Sequence, residues 1–188
     1  LVNNIPLSDI DIFSYWKLCG TMFQQSNIFA MSAYENITFD NSRVHNIDEL
    51  LDMIDLKGLF DKQEKGIHTE LSRSFDATGI ALSVGEGQRV SFARLIFHKK
   101  DFVILDEPSS ALDVSAEQRL FNVIHEMYSQ DCGRMCLIIS HNISHFVYAD
   151  KILFLVEGTL PYIGNHQFML NNCIAYRQMF ELQTAATS

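Results

Sequence analysis

The chain has 188 residues, 47% hydrophobic and 20% charged, which suits one globular domain, or one with a subdomain, and excludes a disordered chain. A formal net charge of −9 disfavours a polyanionic partner such as DNA or RNA. No apolar run reaches the ~18 residues of a membrane-spanning helix, and no signal peptide is visible. The four cysteines, Cys19, Cys132, Cys136 and Cys173, show no C-x-x-C pairing and read as scattered thiols rather than a metal site.

In chain order, residues 6–16 carry Ser8 and Asp9 ahead of an apolar-periodic run, which predicts a short capped helix. A strand over 17–23 then leads into Gln24. Between about 26 and 82 the pattern is helical and irregular. Ile47, Leu50, Leu51, Ile54 and Leu56 keep a helical spacing, with Asp48 and Glu49 suited to a first turn. Gly58, Gly66 and Gly79 mark loops between short helices.

From Glu86 onward the pattern is regular. It predicts a helix over 86–98, a strand over 102–106, a helix over 114–128 and a strand over 134–139. A helix over 143–148, a strand over 151–156, a turn at Gly158, a strand over 160–163 and helices over 166–171 and 173–183 follow. Strands apolar on both faces, alternating with helices, predict a parallel sheet covered by helices.

Two features of this stretch point to chemistry. A polar, glycine-bearing turn beginning at Leu82 opens the helix over 86–98, where a phosphate-sized anion can sit. The strand 102–106 ends on Asp106 and Glu107, at the carboxyl end of a buried strand, where open α/β sheets bind their ligands. One carboxylate can hold magnesium while its neighbour orients a water, and Pro108 fixes the turn just beyond. The combination reads as nucleoside triphosphate hydrolysis. His141 follows an apolar strand and so falls at the same sheet edge, with His145 as a competing candidate. Gln24 offers a neutral amide, with Gln25 beside it as the alternative.

The spacing resembles the nucleotide-binding domain of ATP-binding-cassette (ABC) transporters. Leu82-Ser83-Val84-Gly85-Glu86, continued by Gln88-Arg89, is similar to the family's signature loop, with Val84 and Glu86 in place of the usual glycine and glutamine. Residues 102–107 resemble its Walker B strand, 110–113 its D-loop, 137–141 the strand leading to its switch histidine, and 23–29 its Q-loop. Glu35-Asn36-Ile37 resembles a short motif of exporters, and 176–183 their closing helix.

The resemblance implies a P-loop NTPase-type (RecA-like) α/β fold: a parallel sheet flanked by helices, with an inserted helical signature subdomain. It divides the chain into a core remnant at 1–25, a helical subdomain at 26–85, an α/β core at 86–165 and C-terminal helices at 166–188. It implies ATP and Mg2+ as ligands, with Glu107 as catalytic base, His141 as γ-phosphate sensor, and Gln24 on both water and metal. Asp106 would be the metal ligand. Ser83, Gly85, Glu86, Gln88 and Asp113 would contact a nucleotide held by a second nucleotide-binding domain, identical or not, and Val84 would weaken that half-site. A transmembrane domain fused upstream would be the other partner, at the cytoplasmic face of the membrane. Ile28, Phe29, Tyr34 and Phe39 would be core, or a groove for that domain's coupling helix; residues 69–79 occupy the place of the exporter cross-linking loop but depart from its wording.

None of the seven lysines is followed by Ser or Thr, so the chain holds no G-x-x-x-x-G-K-[ST] phosphate loop. With Leu1 rather than Met at the start, the expected explanation is the C-terminal piece of a longer polypeptide, inactive alone and with apolar surface left uncovered. The alternatives are a truncated, non-hydrolysing cassette partner and a soluble ABC-type ATPase.

Overall fold

The computed structural model describes residues 2, 4–40, 47–74, 76–128 and 133–186. Cys132 lies outside them. The chain divides into two compact units, Leu1–Ile139 and Ser140–Ser188.

In the first unit, a 3-10 turn at Leu7–Asp9 precedes helix α1 (Ile12–Leu18). The cap is Asp11, whose carboxylate accepts from the Ser14 N–H at 2.8 Å. Ser8 and Asp9, the expected caps, instead bond each other through their side chains. The helix therefore starts later and takes in Lys17, so strand β1 is confined to Cys19–Met22. Helix α2 (Ala33–Thr38) is closed at its start by a Ser32–Glu35 capping box. Helices α3 (Asp48–Met53) and α4 (Lys57–Phe60) and a 3-10 turn at Gly66–His68 complete the helical region. Its apolar spacing is a core pattern: Leu51, Ile54, Leu56 and Phe60 are all buried. Each such side chain stabilises by roughly 1.5–3 kcal/mol.

Helix α5 (Val84–His98) runs against α2, α3 and β1. Strand β2 (Phe102–Asp106), helix α6 (Val114–Tyr128) and strand β3 (Met135–Ile139) follow within a residue of the sequence expectation. The sheet has the order β1-β2-β3 and is parallel throughout, with Met22 beside Leu105 and Asp106 beside Ile139. All three strands thus end at one edge. Met22, Val103 and Leu105 are buried on the face that packs in the core. The opposite face is apolar and open, with Met135 58% and Ile139 49% exposed. Parallel sheets normally carry cover on both faces.

Asp55, in a left-handed conformation (φ 57°), accepts from Arg89 of α5 and Arg119 of α6, both at 3.1 Å. Being partly exposed, each ion pair is worth about 1 kcal/mol or less.

In the second unit, a 3-10 helix (Ile143–Tyr148) leads to strand β4 (Ile152–Val156), strand β5 (Thr159–Gly164) and helices α7 (His166–Asn172) and α8 (Ile174–Ala186). The sequence predicts β4 as a parallel-sheet strand; it pairs instead with β5 in an antiparallel hairpin. The cause is the two-residue turn Glu157-Gly158, both at positive φ (49° and 76°), the conformation that joins twisted strands most directly. Tyr176 anchors this unit's core: burial pushes its phenol up to about 12, and its hydroxyl lies 2.8 Å from His166 Nδ1.

Candidate active site

The carboxyl edge of the parallel sheet collects the first group of candidates. Asp106 is the last residue of β2 and half-buried. Glu107 follows at φ 48°, a left-handed backbone uncommon for a residue with a side chain and costing about 1–3 kcal/mol. Surrounding bonds hold it there. Its N–H donates to the Ile139 carbonyl at 2.9 Å, its carbonyl accepts from the Ser110 N–H at 3.2 Å, and Pro108 beside it is fully buried. Gln24 lies two residues past the end of β1, one strand over from Asp106 by the register, with its side chain exposed, as is that of Gln25.

Ser83 is the N-cap of α5. Its hydroxyl donates to Glu86 Oε2 at 2.8 Å, its N–H donates to the same oxygen at 2.7 Å, and the Glu86 N–H donates back to Ser83 Oγ at 3.3 Å. This reciprocal box explains why α5 begins at Val84, two residues before the sequence reading places it. Val84 points away from the chain, 69% exposed.

Gly85 meets the D-loop. A Cβ there would lie 2.6 Å from the Ala111 carbonyl oxygen, a separation that side chains do not adopt. Gly85→Ala should therefore push the start of α5 and the D-loop apart, costing about 1–3 kcal/mol, read as a lower denaturant midpoint of the full-length protein. Gln88, expected at the nucleotide, is instead 0% exposed. Its Nε2 donates to Ser110 Oγ at 2.8 Å and its Oε1 accepts from the Ala111 N–H at 3.2 Å. One donor and the oxygen of the amide thus hold the D-loop from a buried position. Asp113 ends that loop as a helix cap: its Oδ1 accepts from the Ala116 N–H at 2.8 Å, which holds the carboxyl below the usual carboxylate range.

His141 belongs to the second unit, two residues after β3 along the chain, with an exposed side chain and a carbonyl that accepts from Gln183 Nε2 at 2.9 Å. The competing His145 is engaged on both ring nitrogens, Nδ1 3.3 Å from Ser140 Oγ and Nε2 3.0 Å from Asn142 Nδ2. Because Asn142 Nδ2 can only donate, His145 Nε2 accepts and the ring proton sits on Nδ1.

Sequence reasoning placed Asn36 in an exporter-like motif without giving it a role, and missed Arg94. Asn36 is 0% exposed; its Oδ1 accepts from the Phe29 N–H at 2.9 Å and its Nδ2 faces the Phe29, Met31 and Ser32 carbonyls at 3.0–3.1 Å. Arg94 of α5 donates from Nε to the Asn36 carbonyl at 2.7 Å and from Nη2 to that of Asn27 at 3.1 Å. Its guanidinium lies over the Phe29 and Phe39 rings, 5.3 and 4.7 Å from their centroids. Phe29 and Phe39 are exposed and Ile28 is half-buried, while Tyr34 is buried in the core. An Arg inside the otherwise apolar run 92–97 was the available signal.

A parallel sheet with an acid pair at its carboxyl edge, and a glycine-bearing helix start against the following loop, defines an α/β domain of the P-loop NTPase type. A family model described as ABC transporter matches residues 1–110. The subtilin transport ATP-binding protein SpaT of Bacillus subtilis is 31% identical over 96% of this chain and 30% of its own length. The mitochondrial iron-sulfur clusters transporter ATM1 of Candida glabrata is 30% identical over 97% of this chain and 25% of its own. The solved structure of a bacterial Atm1-family ABC exporter with ATP bound superposes with a TM-score of 0.81 at 24% identity, over 95% of this chain and 30% of that one. The chain belongs to the ABC transporter family. It spans less than a third of the length of these relatives. Among the described residues, no helix is long and apolar enough to cross a membrane.

Proposed function

We propose that this chain is the ATP-hydrolysing domain of an exporter, working at the cytoplasmic face of a membrane with a transmembrane domain and a second nucleotide-binding domain. The observation that carries the reading is the strained Glu107 beside Asp106 at the carboxyl edge of the sheet, one strand from Gln24. Backbone strain held in place by its surroundings is characteristic of functional sites.

The donor set fits magnesium. That ion keeps several waters and takes one or two protein oxygens besides substrate phosphates, and Asp106, with the Gln24 amide carbonyl, offers that complement. When bound it would neutralise charge on the β- and γ-phosphate oxygens of ATP. Glu107 accepts a hydrogen bond from water and draws off its proton as the water oxygen bonds to the γ-phosphorus. The bond from that phosphorus to the bridging oxygen breaks, giving ADP and phosphate. Gln24 orients the water, and His141 donates to the γ-phosphate. Ser83 and the N-terminus of α5 face the nucleotide of the second domain. Gln88 and Gly85 hold the D-loop against that helix, and Asp113 lies toward the domain seam. Phe29, Phe39 and Arg94 offer an aromatic surface to the transmembrane domain's coupling helix. The 188 residues alone, with no G-x-x-x-x-G-K-[ST] run, bind no nucleotide measurably in this reading.

The test is ATP hydrolysis by the full-length protein in lipid, with magnesium and then with a chelator. Turnover should disappear on chelation and return with added magnesium. An intact protein that hydrolyses no ATP with magnesium present sinks the reading, and turnover that survives chelation removes Asp106 from its role.

A further inference from the structure

We infer that Gln88 is a positioning residue for Glu107: from inside helix α5 its amide grips Ser110 and Ala111, and through Ser110 it keeps the base in its left-handed conformation. The inference rests on the reading above, in which Glu107 takes the proton of the attacking water.

Glu107 is tethered at both ends. Its N–H donates to the Ile139 carbonyl at 2.9 Å, an end fixed by the register of β2 on β3. Its carbonyl accepts from the Ser110 N–H at 3.2 Å, and this end depends on a loop in which Ser110 and Ala111 are exposed. Water competes for an exposed turn bond, and a residue with a side chain at φ 48° relaxes to negative φ once its restraints go. Gln88 supplies an inner restraint. It is 0% exposed, on a helix of 15 residues packed against α2, α3 and β1. The Ala111 N–H can only donate, so the amide oxygen faces it at 3.2 Å and Nε2 faces Ser110 Oγ at 2.8 Å. Two consecutive loop residues are thus pinned to one buried group, and the Ser110 N–H is left aimed at the Glu107 carbonyl. Gln88 takes no part in bond breaking. It governs the direction in which the Glu107 side chain leaves the backbone, where a misplacement of about 1 Å costs roughly 10²-fold in rate.

The experiment measures ATP hydrolysis by the full-length protein in lipid at saturating Mg·ATP, per folded molecule, with Gln88→Met placed in two backgrounds, the parent and Glu107→Gln. Methionine fills similar space through a flexible, apolar side chain. In the parent, hydrolysis should fall about 10–100-fold, with KM for Mg·ATP changed by less than about twofold. In Glu107→Gln, where the base is already gone, it should fall no further. Ser110→Ala, which removes only the hydroxyl that Gln88 holds, should show the same dependence on background, and it serves as the test if Gln88→Met does not fold. An equal fall in both backgrounds, or no fall in the parent, overturns the positioning role and leaves Glu107 as the base. If Glu107→Gln by itself changes nothing, the inference and the reading beneath it both fail.

Discussion

Glu107→Gln lowers the ATP turnover of the full-length protein by roughly 10²–10⁴-fold, with ATP-driven closure of the two domains retained. The amide has the size and nearly the shape of the carboxylate, so the left-handed backbone and the bond from its N–H to the Ile139 carbonyl are undisturbed. What is lost is the ability to take a proton from the attacking water. Steady-state phosphate release gives the first quantity, and a distance label across the domains gives the second. A variant with unchanged turnover removes Glu107 as the base. A variant that hydrolyses slowly and also fails to close means that the residue serves binding rather than bond breaking.

Asn36→Ala destabilises the protein by about 1–3 kcal/mol. Its amide organises the turn that follows Gln24, receiving the Phe29 N–H and facing three carbonyls in return. Removing the side chain leaves the Phe29 N–H without its acceptor in a part-buried site, at about 1–3 kcal/mol, while the Phe29, Met31 and Ser32 carbonyls each keep a backbone N–H donor. Some of that cost is recovered as water enters. Arg94 loses only a long bond from its Nη2 to Asn36 Oδ1 at 3.4 Å and keeps that to the Asn36 backbone carbonyl at 2.7 Å. It does depend on the turn to keep Phe29 beneath its guanidinium. The expected result is a denaturant midpoint shifted down by that amount, with a second, functional consequence: Gln24 is released from its position, and turnover per folded molecule falls as well. An unfolding midpoint within 1 kcal/mol of the parent contradicts the assignment.

The elements with a strong local signature were readable in advance. Strand 102–106 and helix 114–128 have the predicted bounds, because an apolar run closed by two acids and an uninterrupted helical spacing leave little choice. Where two local signals compete, reading fails. Ser8 and Asp9 look as good a cap as Asp11, and the choice fell to Asp11 where the helix must give way to β1 beside Phe102. The capping box at Ser83 and Glu86 has a legible S-x-x-E spacing, repeated at Ser32 and Glu35, yet the glycine-rich loop drew attention to phosphate binding instead.

Local chemistry along the chain carries the identity of the reacting groups: a carboxylate pair after an apolar strand, a serine before a glycine, a histidine after the next strand. Those properties need no distant partner, so order and spacing suffice to reveal them. The roles of Gln88, Asn36 and Arg94 could emerge only from folding, because their partners lie far off in sequence, Gln88 reaching Ser110 and Arg94 reaching Asn27. A polar side chain on a helix reads the same whether it faces solvent or locks a buried loop, and burial is a property of the packed molecule.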